Sequence, residues 1–221
     1  IVATVGTTAV TSVDPVPTIA DLCERERLWL HVDAAYAGAA AMVPGREDTL
    51  AGCDRATSFV VNPHKWLFTP FDLSAFYCRR MDRLREAFSL TPDYLQSREP
   101  GVRNLMDTGV QLGRRFRALK LWMTIQLFGL DNIRAAVERG IRAAEKAETY
   151  VRGHEELEVV SAAELGVVSF RYLAKSSDDL NAFNLELSKA VIVDSFCLAS
   201  STELSGKVVL RMCTINPRTT D

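Results

Sequence analysis

Residues 28–38 read LWLHVDAAYAG: six mostly apolar residues that end on a carboxylate, then a run of small side chains. An apolar stretch without strict alternation is the pattern of a strand covered on both faces. Upstream, IVATVG (1–6) is rich in β-branched residues and reads as another strand. Between them, TTAVTSVDPVPT is a polar connection in which Asp14, before Pro15, is placed to cap a helix. Ile19, Leu22 and Cys23 then follow helical spacing. Downstream, TSFVVN (57–62) and LSAFYC (73–78) read as a third and a fourth strand. Strands separated by crossovers of helix length predict a parallel α/β sheet.

Residues 89–109, SLTPDYLQSREPGVRNLMDTG, mix Pro, Gly and charge with few apolar anchors. A loop this long in a compact domain is usually a functional lid or a link. Beyond it, Phe116, Leu119, Trp122, Met123 and Gln126 mark a helix ending near Gly129. Asp131 is placed to cap the next helix, whose apolar stripe is Ile133, Val137, Ile141 and Ala144. ELEVV (156–160), GVVSFRYL (166–173) and KVVLRMC (207–213) read as strands, and DDLNAFNLELSKAVIV (178–193) as a helix. This later part is predicted to be a smaller α+β domain. There is no internal repeat.

Composition narrows the classes of function. Of 221 residues, 26 are basic and 28 acidic, a net charge of −2. Such a chain has no overall basic field for nucleic acid, and no apolar run is long enough to span a membrane. Five scattered cysteines (Cys23, Cys53, Cys78, Cys197 and Cys213) form no CxxC pair. This argues against a disulfide framework or a zinc ribbon and for a reducing, cytoplasmic setting. Cys78 and Cys213 lie in strand-like runs and are expected to act as small buried hydrophobes. The chain opens on Ile inside a strand-like run, with no charged leader, so a fragment of a longer protein is expected.

Lys65 lies in VVNPHKWLFTP (60–70), just after a strand, where α/β folds bind ligands. It is either an ordinary solvated lysine or one desolvated against Trp66, Leu67 and Phe68. The second state lowers the amine's pKa and makes it nucleophilic. Asp33 ends a buried-looking strand. It is either a cap or ion-pair partner, or a counter-ion for a cationic heterocycle, with Ala34 and Ala35 leaving room for a flat ring. Gly6-Thr7-Thr8 offers backbone N–H and hydroxyl groups at another strand end, and Asn62 and His64 flank the lysine. Only three histidines occur and no two share ligand spacing, so no metal site is expected. Neither a GxGxxG nor a Walker motif is present.

HVDAAYAG followed after one α/β unit by NPHKW resembles the pyridoxal-phosphate-dependent group II decarboxylases, most closely their aromatic-L-amino-acid branch. IVATVGTT, TPDYL and LGRRFRALKLW carry the same resemblance. It extends over essentially the whole chain and is densest in residues 1–122. It implies an α/β fold of the fold type I transferase kind. Residues 1–119 would be the later part of the cofactor-binding large domain with its mobile loop, and residues 120–221 a smaller α+β C-terminal domain. The family's stacking histidine and much of its phosphate cradle would lie upstream of this chain. The resemblance implies pyridoxal 5'-phosphate as cofactor and Lys65 as its Schiff-base lysine, with Asp33 holding the pyridine nitrogen protonated. Thr8, Asn62 and Ala35 would match cofactor-contacting positions, and His64 would lie near the phosphate. Tyr94 would be the mobile-loop tyrosine that returns a proton to the substrate. The implied reaction turns an L-amino acid, aromatic in type, into its amine and carbon dioxide. Acidic-substrate decarboxylation, aldehyde formation on the same scaffold and a catalytically inert fragment remain as alternatives. A homodimer is implied, with no nucleic-acid or membrane partner.

Overall fold

The computed structural model describes residues 1–89, 104–194 and 197–219. Its first sheet has the order β1 (Val2–Thr4), β2 (His31–Asp33), β3 (Ser58–Val61) and β4 (Ala75–Cys78). The first three strands are parallel, with Thr4 opposite Asp33 and Asp33 opposite Val60. Helix α1 (Val16–Arg25) joins β1 to β2 and buries Val16, Ala20 and Cys23 along one face.

Three expectations change here. The strand predicted over residues 28–33 pairs only from His31, because Arg27 has φ 54° and the Leu28 N–H bonds to the Cys23 carbonyl at 2.8 Å. The chain is still leaving α1 at that point. Asp14 does not cap α1; its Oδ2 accepts the Thr4 N–H at 2.7 Å and ties the helix entry to β1. Strand β4 runs antiparallel to β3. The segment between them holds only α2 (Pro63–Trp66), too short to carry the chain back across the sheet. The Ser74 hydroxyl donates to Asn62 Oδ1 at 2.6 Å, so the chain re-enters the sheet at the end it left.

The second sheet has the order β5 (Leu157–Glu164), β6 (Val167–Tyr172), β8 (Lys207–Cys213) and β7 (Ser200–Leu204), antiparallel throughout. Two tight turns close its hairpins. Leu165-Gly166 and Ser205-Gly206 have positive φ at both positions (48° and 80°, 50° and 78°), the geometry that matches strand twist. Strand β7, SSTEL, lacks an apolar repeat and has no clear signal in the sequence. Cys78 and Cys213 lie on β4 and β8 as expected but are only half-buried; of the five free cysteines Cys23 is the buried one.

Helix α5 (Leu130–Arg152) buries the predicted stripe of Ile133, Val137, Ile141 and Ala144. Gly129 precedes it; Asp131 bonds no backbone N–H there and pairs instead with Arg134 at 2.5 Å. Val137, Ile141 and Leu165 join Val5, Val32, Ala34 and Trp66 in one apolar cluster, so α5 and the β5–β6 turn close over the core of the first sheet. Helix α4 (Ala118–Phe128) ends at Gly129 as expected. Leu119, Trp122 and Met123 are exposed, and Thr124 is its buried residue. Helices α3 (Met81–Phe88) and α6 (Leu180–Asp194) complete the fold. No helix among the described residues is long and apolar enough to cross a membrane.

Candidate active site

The parallel register brings the carboxyl ends of β1, β2 and β3 into line. The Val5 N–H bonds the Asp33 carbonyl at 2.8 Å, and the Ala34 N–H bonds the Val60 carbonyl at 3.0 Å. The Asn62 N–H donates to the Ala35 carbonyl at 3.0 Å. That bond fastens the Asp33 turn to the entry of α2, which carries Lys65. Two residues 32 positions apart in sequence thus stand on neighbouring strand ends, the place where open α/β sheets bind ligands.

Asp33 is half-buried, and its Oδ1 accepts the Ala35 N–H at 3.0 Å. This is the local turn bond that aspartate commonly makes. Its Oδ2 has no partner and no cation pairs with it among the described residues, which disfavours the ion-pair reading. Ala34 and Ala35, the next two residues, are small and buried.

Pro63 starts α2 with its φ already helical and no N–H to satisfy. The Lys65 side chain is exposed, whereas Trp66 is 0% exposed. Neighbouring residues on a helical turn point about 100° apart, so a tryptophan sunk in the core turns the preceding lysine outward. Leu67 and Phe68 also pack against the core. The expected desolvation of Lys65 by these three residues is therefore not what this chain provides. Its ammonium has no partner among the described residues.

Around Lys65 the polar groups are oriented. Asn62 Oδ1 accepts from Ser74, which leaves the amide NH₂ of Asn62 as donor. His64 Nδ1 accepts the Leu73 N–H at 2.9 Å, and the ring lies 4.9 Å from that of Phe71. The Gly6–Thr8 turn is partly closed on itself. The N–H groups of Gly6 and Thr7 both point to the Ser12 carbonyl at 3.1 Å, and Thr7 Oγ1 accepts the Ser12 N–H at 3.0 Å. Of the groups expected to face a ligand there, the exposed Thr8 keeps its hydroxyl and N–H unengaged among the described residues. Tyr94 lies outside the described residues.

Two features escaped sequence reading. Tyr36, three residues after Asp33, stacks on Trp66 and donates its hydroxyl to the Leu165 carbonyl at 2.6 Å. Burial, with Cys213 beside it, raises its pKa well above the tyrosine range. The second is a set of cations around Asp72. Arg115 and Arg117 bond its carboxylate at 2.9 and 3.2 Å. Arg117, ahead of Arg115, holds that carboxyl below its usual range. Both arginines belong to the LGRRFRALK motif, but only the fold shows what they grip.

The donor set fits a flat, anionic, aldehyde-bearing cofactor with a cationic ring. It offers, among the described residues, a strand-end carboxylate with one unpaired oxygen, an unpaired amine, and donors on Asn62, His64 and Thr8 that no described residue engages.

The comparisons agree with this chemistry. Residues 1–173 match the pyridoxal-dependent decarboxylase conserved domain. An aromatic-L-amino-acid decarboxylase of Bacillus atrophaeus is 39% identical over 226 residues, covering 100% of this chain and 47% of the relative. A phenylacetaldehyde synthase of Arabidopsis thaliana is 36% identical, covering 99% of this chain and 46% of the relative. The crystal structure of Oryza sativa TDC with PLP and tryptamine superposes with a TM-score of 0.91 at 34% identity, over 99% of this chain and 46% of that one. The chain thus spans about half the length of the relatives it matches. The domain match over most of the chain, the close fold likeness and the strand-end aspartate and lysine together establish that it belongs to the pyridoxal-dependent decarboxylase family.

Proposed function

We propose that this chain forms the lysine-bearing part of a pyridoxal 5'-phosphate-dependent decarboxylase that converts an aromatic L-amino acid to its amine and carbon dioxide. The observation that carries this reading is the juxtaposition of Asp33 and the Lys65 helix through the Asn62–Ala35 bond at the ends of parallel strands. The aromatic substrate class is supported by the Bacillus relative and the rice structure.

When bound, the cofactor supplies the electron sink for the pair left at the substrate's α-carbon as carbon dioxide departs. The residues of this chain would do the rest. Lys65 Nζ would hold the cofactor covalently through its aldehyde carbon. Asp33 would hold the ring nitrogen and, by its charge, keep a proton there. Ala35 leaves room for the ring, and Asn62, His64 and Thr8 donate toward cofactor oxygens, His64 at the phosphate. The Tyr94 hydroxyl delivers a proton to the α-carbon. We further propose that residues 1–119 and 120–221 are parts of a large and a small domain, and that the enzyme is a cytoplasmic homodimer.

The test uses the full-length protein. The holoenzyme is reduced with borohydride, digested and analysed by mass spectrometry. The cofactor mass should reside on the peptide containing Lys65; its recovery on another lysine would overturn the assignment. Carbon dioxide release from tyrosine, tryptophan and glutamate would then test the substrate class, with glutamate expected to be the poor substrate.

A further inference from the structure

We propose that Lys120 is a positioning residue that holds His64 in the tautomer protonated on Nε2, acting through a single peptide group. The proposal deepens the reading above, because it rests on His64 donating to the cofactor.

The peptide unit between Asp72 and Leu73 is bonded at both ends. Its carbonyl oxygen accepts from Lys120 Nζ at 2.7 Å, and its N–H donates to His64 Nδ1 at 2.9 Å. A backbone N–H can only donate, so Nδ1 must be the unprotonated nitrogen and the proton of the neutral ring sits on Nε2. An ammonium on the carbonyl oxygen draws electron density from the amide nitrogen and makes the N–H a stronger donor. The charge of Lys120 therefore reinforces the bond that selects the tautomer. A second Lys120 bond, to the Pro70 carbonyl at 2.9 Å, keeps the ammonium in register, whereas Arg115 and Arg117 grip the Asp72 side chain and not the peptide. Phe71 borders the imidazole. The outcome suits an anionic oxygen, since Nε2 offers a proton. The other tautomer would present a lone pair and repel it.

The test uses full-length protein labelled with ¹⁵N-histidine and freed of cofactor. His64 is assigned by the signal lost in His64→Asn. In the parent and in Lys120→Arg, Nε2 should show the shift of a protonated nitrogen and Nδ1 that of an unprotonated one. Lys120→Met frees the Asp72 and Pro70 carbonyls, so the Leu73 N–H can turn away from Nδ1; the two shifts should then move toward each other as the second tautomer populates, and the Kd for pyridoxal 5'-phosphate should rise by about threefold to tenfold. The Kd for pyridoxal, which lacks the phosphate, should not change. Lys120→Gln, which removes the charge but keeps a donor, should give an intermediate result and serves if the methionine variant misfolds. Asp72→Asn loosens the arginine grip but keeps the peptide carbonyl, and should leave the tautomer in place. An unchanged tautomer in both Lys120→Met and Lys120→Gln would overturn the proposal. If instead the tautomer responds to Lys120 while His64→Asn binds cofactor normally, the positioning link stands and the role of His64 at the phosphate fails.

Discussion

Tyr36 and Trp66 stack with ring centroids 4.9 Å apart and planes 17° from parallel. One ring follows Asp33 by three residues and the other follows Lys65 directly. The pair thus braces the two strand ends that carry the chemistry. The Tyr36 hydroxyl continues the brace into the β5–β6 turn at Leu165. Trp66 packs beside Gly140 and Gly166, where an added Cβ would lie 3.5 Å from the indole Nε1 and 3.1 Å from its Cζ2.

Tyr36→Phe keeps the stack and deletes the bond to the Leu165 carbonyl. That carbonyl loses its tyrosine donor, so stability should fall by about 1–2 kcal/mol. Trp66→Ala removes the largest fully buried side chain and should cost about 3–5 kcal/mol. Denaturant midpoints of the full-length protein would order the two; equal effects would mean that Trp66 is not a core anchor.

Asp33→Asn is nearly isosteric and can retain the turn bond to Ala35, but it loses the charge proposed to keep a proton on the cofactor ring. Carbon dioxide release should slow by several powers of ten, each about 1.4 kcal/mol of barrier. Near-parental turnover would reduce Asp33 to a turn residue.

Tyr94→Phe keeps the ring and removes the hydroxyl. If Tyr94 returns the proton to the α-carbon, amine formation should slow and oxygen should divert part of the flux to aldehyde and ammonia. Both products are to be quantified in one reaction. Amine formed at the parental rate without aldehyde would exclude the role.

Glu148 links α5 to β5. Its Oε2 accepts the Ala163 N–H at 2.6 Å, and its Oε1 accepts from Arg152 at 2.7 Å. The Ala163 bond foremost, aided by Arg152, holds its pKa below the ordinary 4.5. A depressed folded pKa contributes stability that is complete above the unfolded value and is lost as pH falls through the folded one. Glu148→Gln should therefore be less stable than the parent at pH 7, and the gap should close as pH drops below about 4. Thermal melts at pH 7, 5 and 3 would show it; a gap independent of pH would exclude the carboxylate as its cause.

Sequence alone was enough for the strand at Asp33, the lysine after β3, the α5 stripe and the resemblance to one enzyme family. Each is a local pattern of residue types at fixed spacing, and such patterns survive without neighbours. What depends on distant partners was decided by the tertiary structure. β4 runs antiparallel because the short α2 segment cannot carry the chain back across the sheet, and Gly6 and Thr7 spend their N–H groups on Ser12. Lys65 faces outward because its neighbour Trp66 is pulled into a core that α5 and Leu165 complete. The stripe of α4 has the right period for burial, yet Trp122 and Met123 remain exposed, because periodicity marks a face and says nothing of what covers it. The Lys120–His64 link joins positions 56 residues apart through one peptide bond; no spacing rule encodes it, since it exists only where the fold brings the ammonium to that carbonyl.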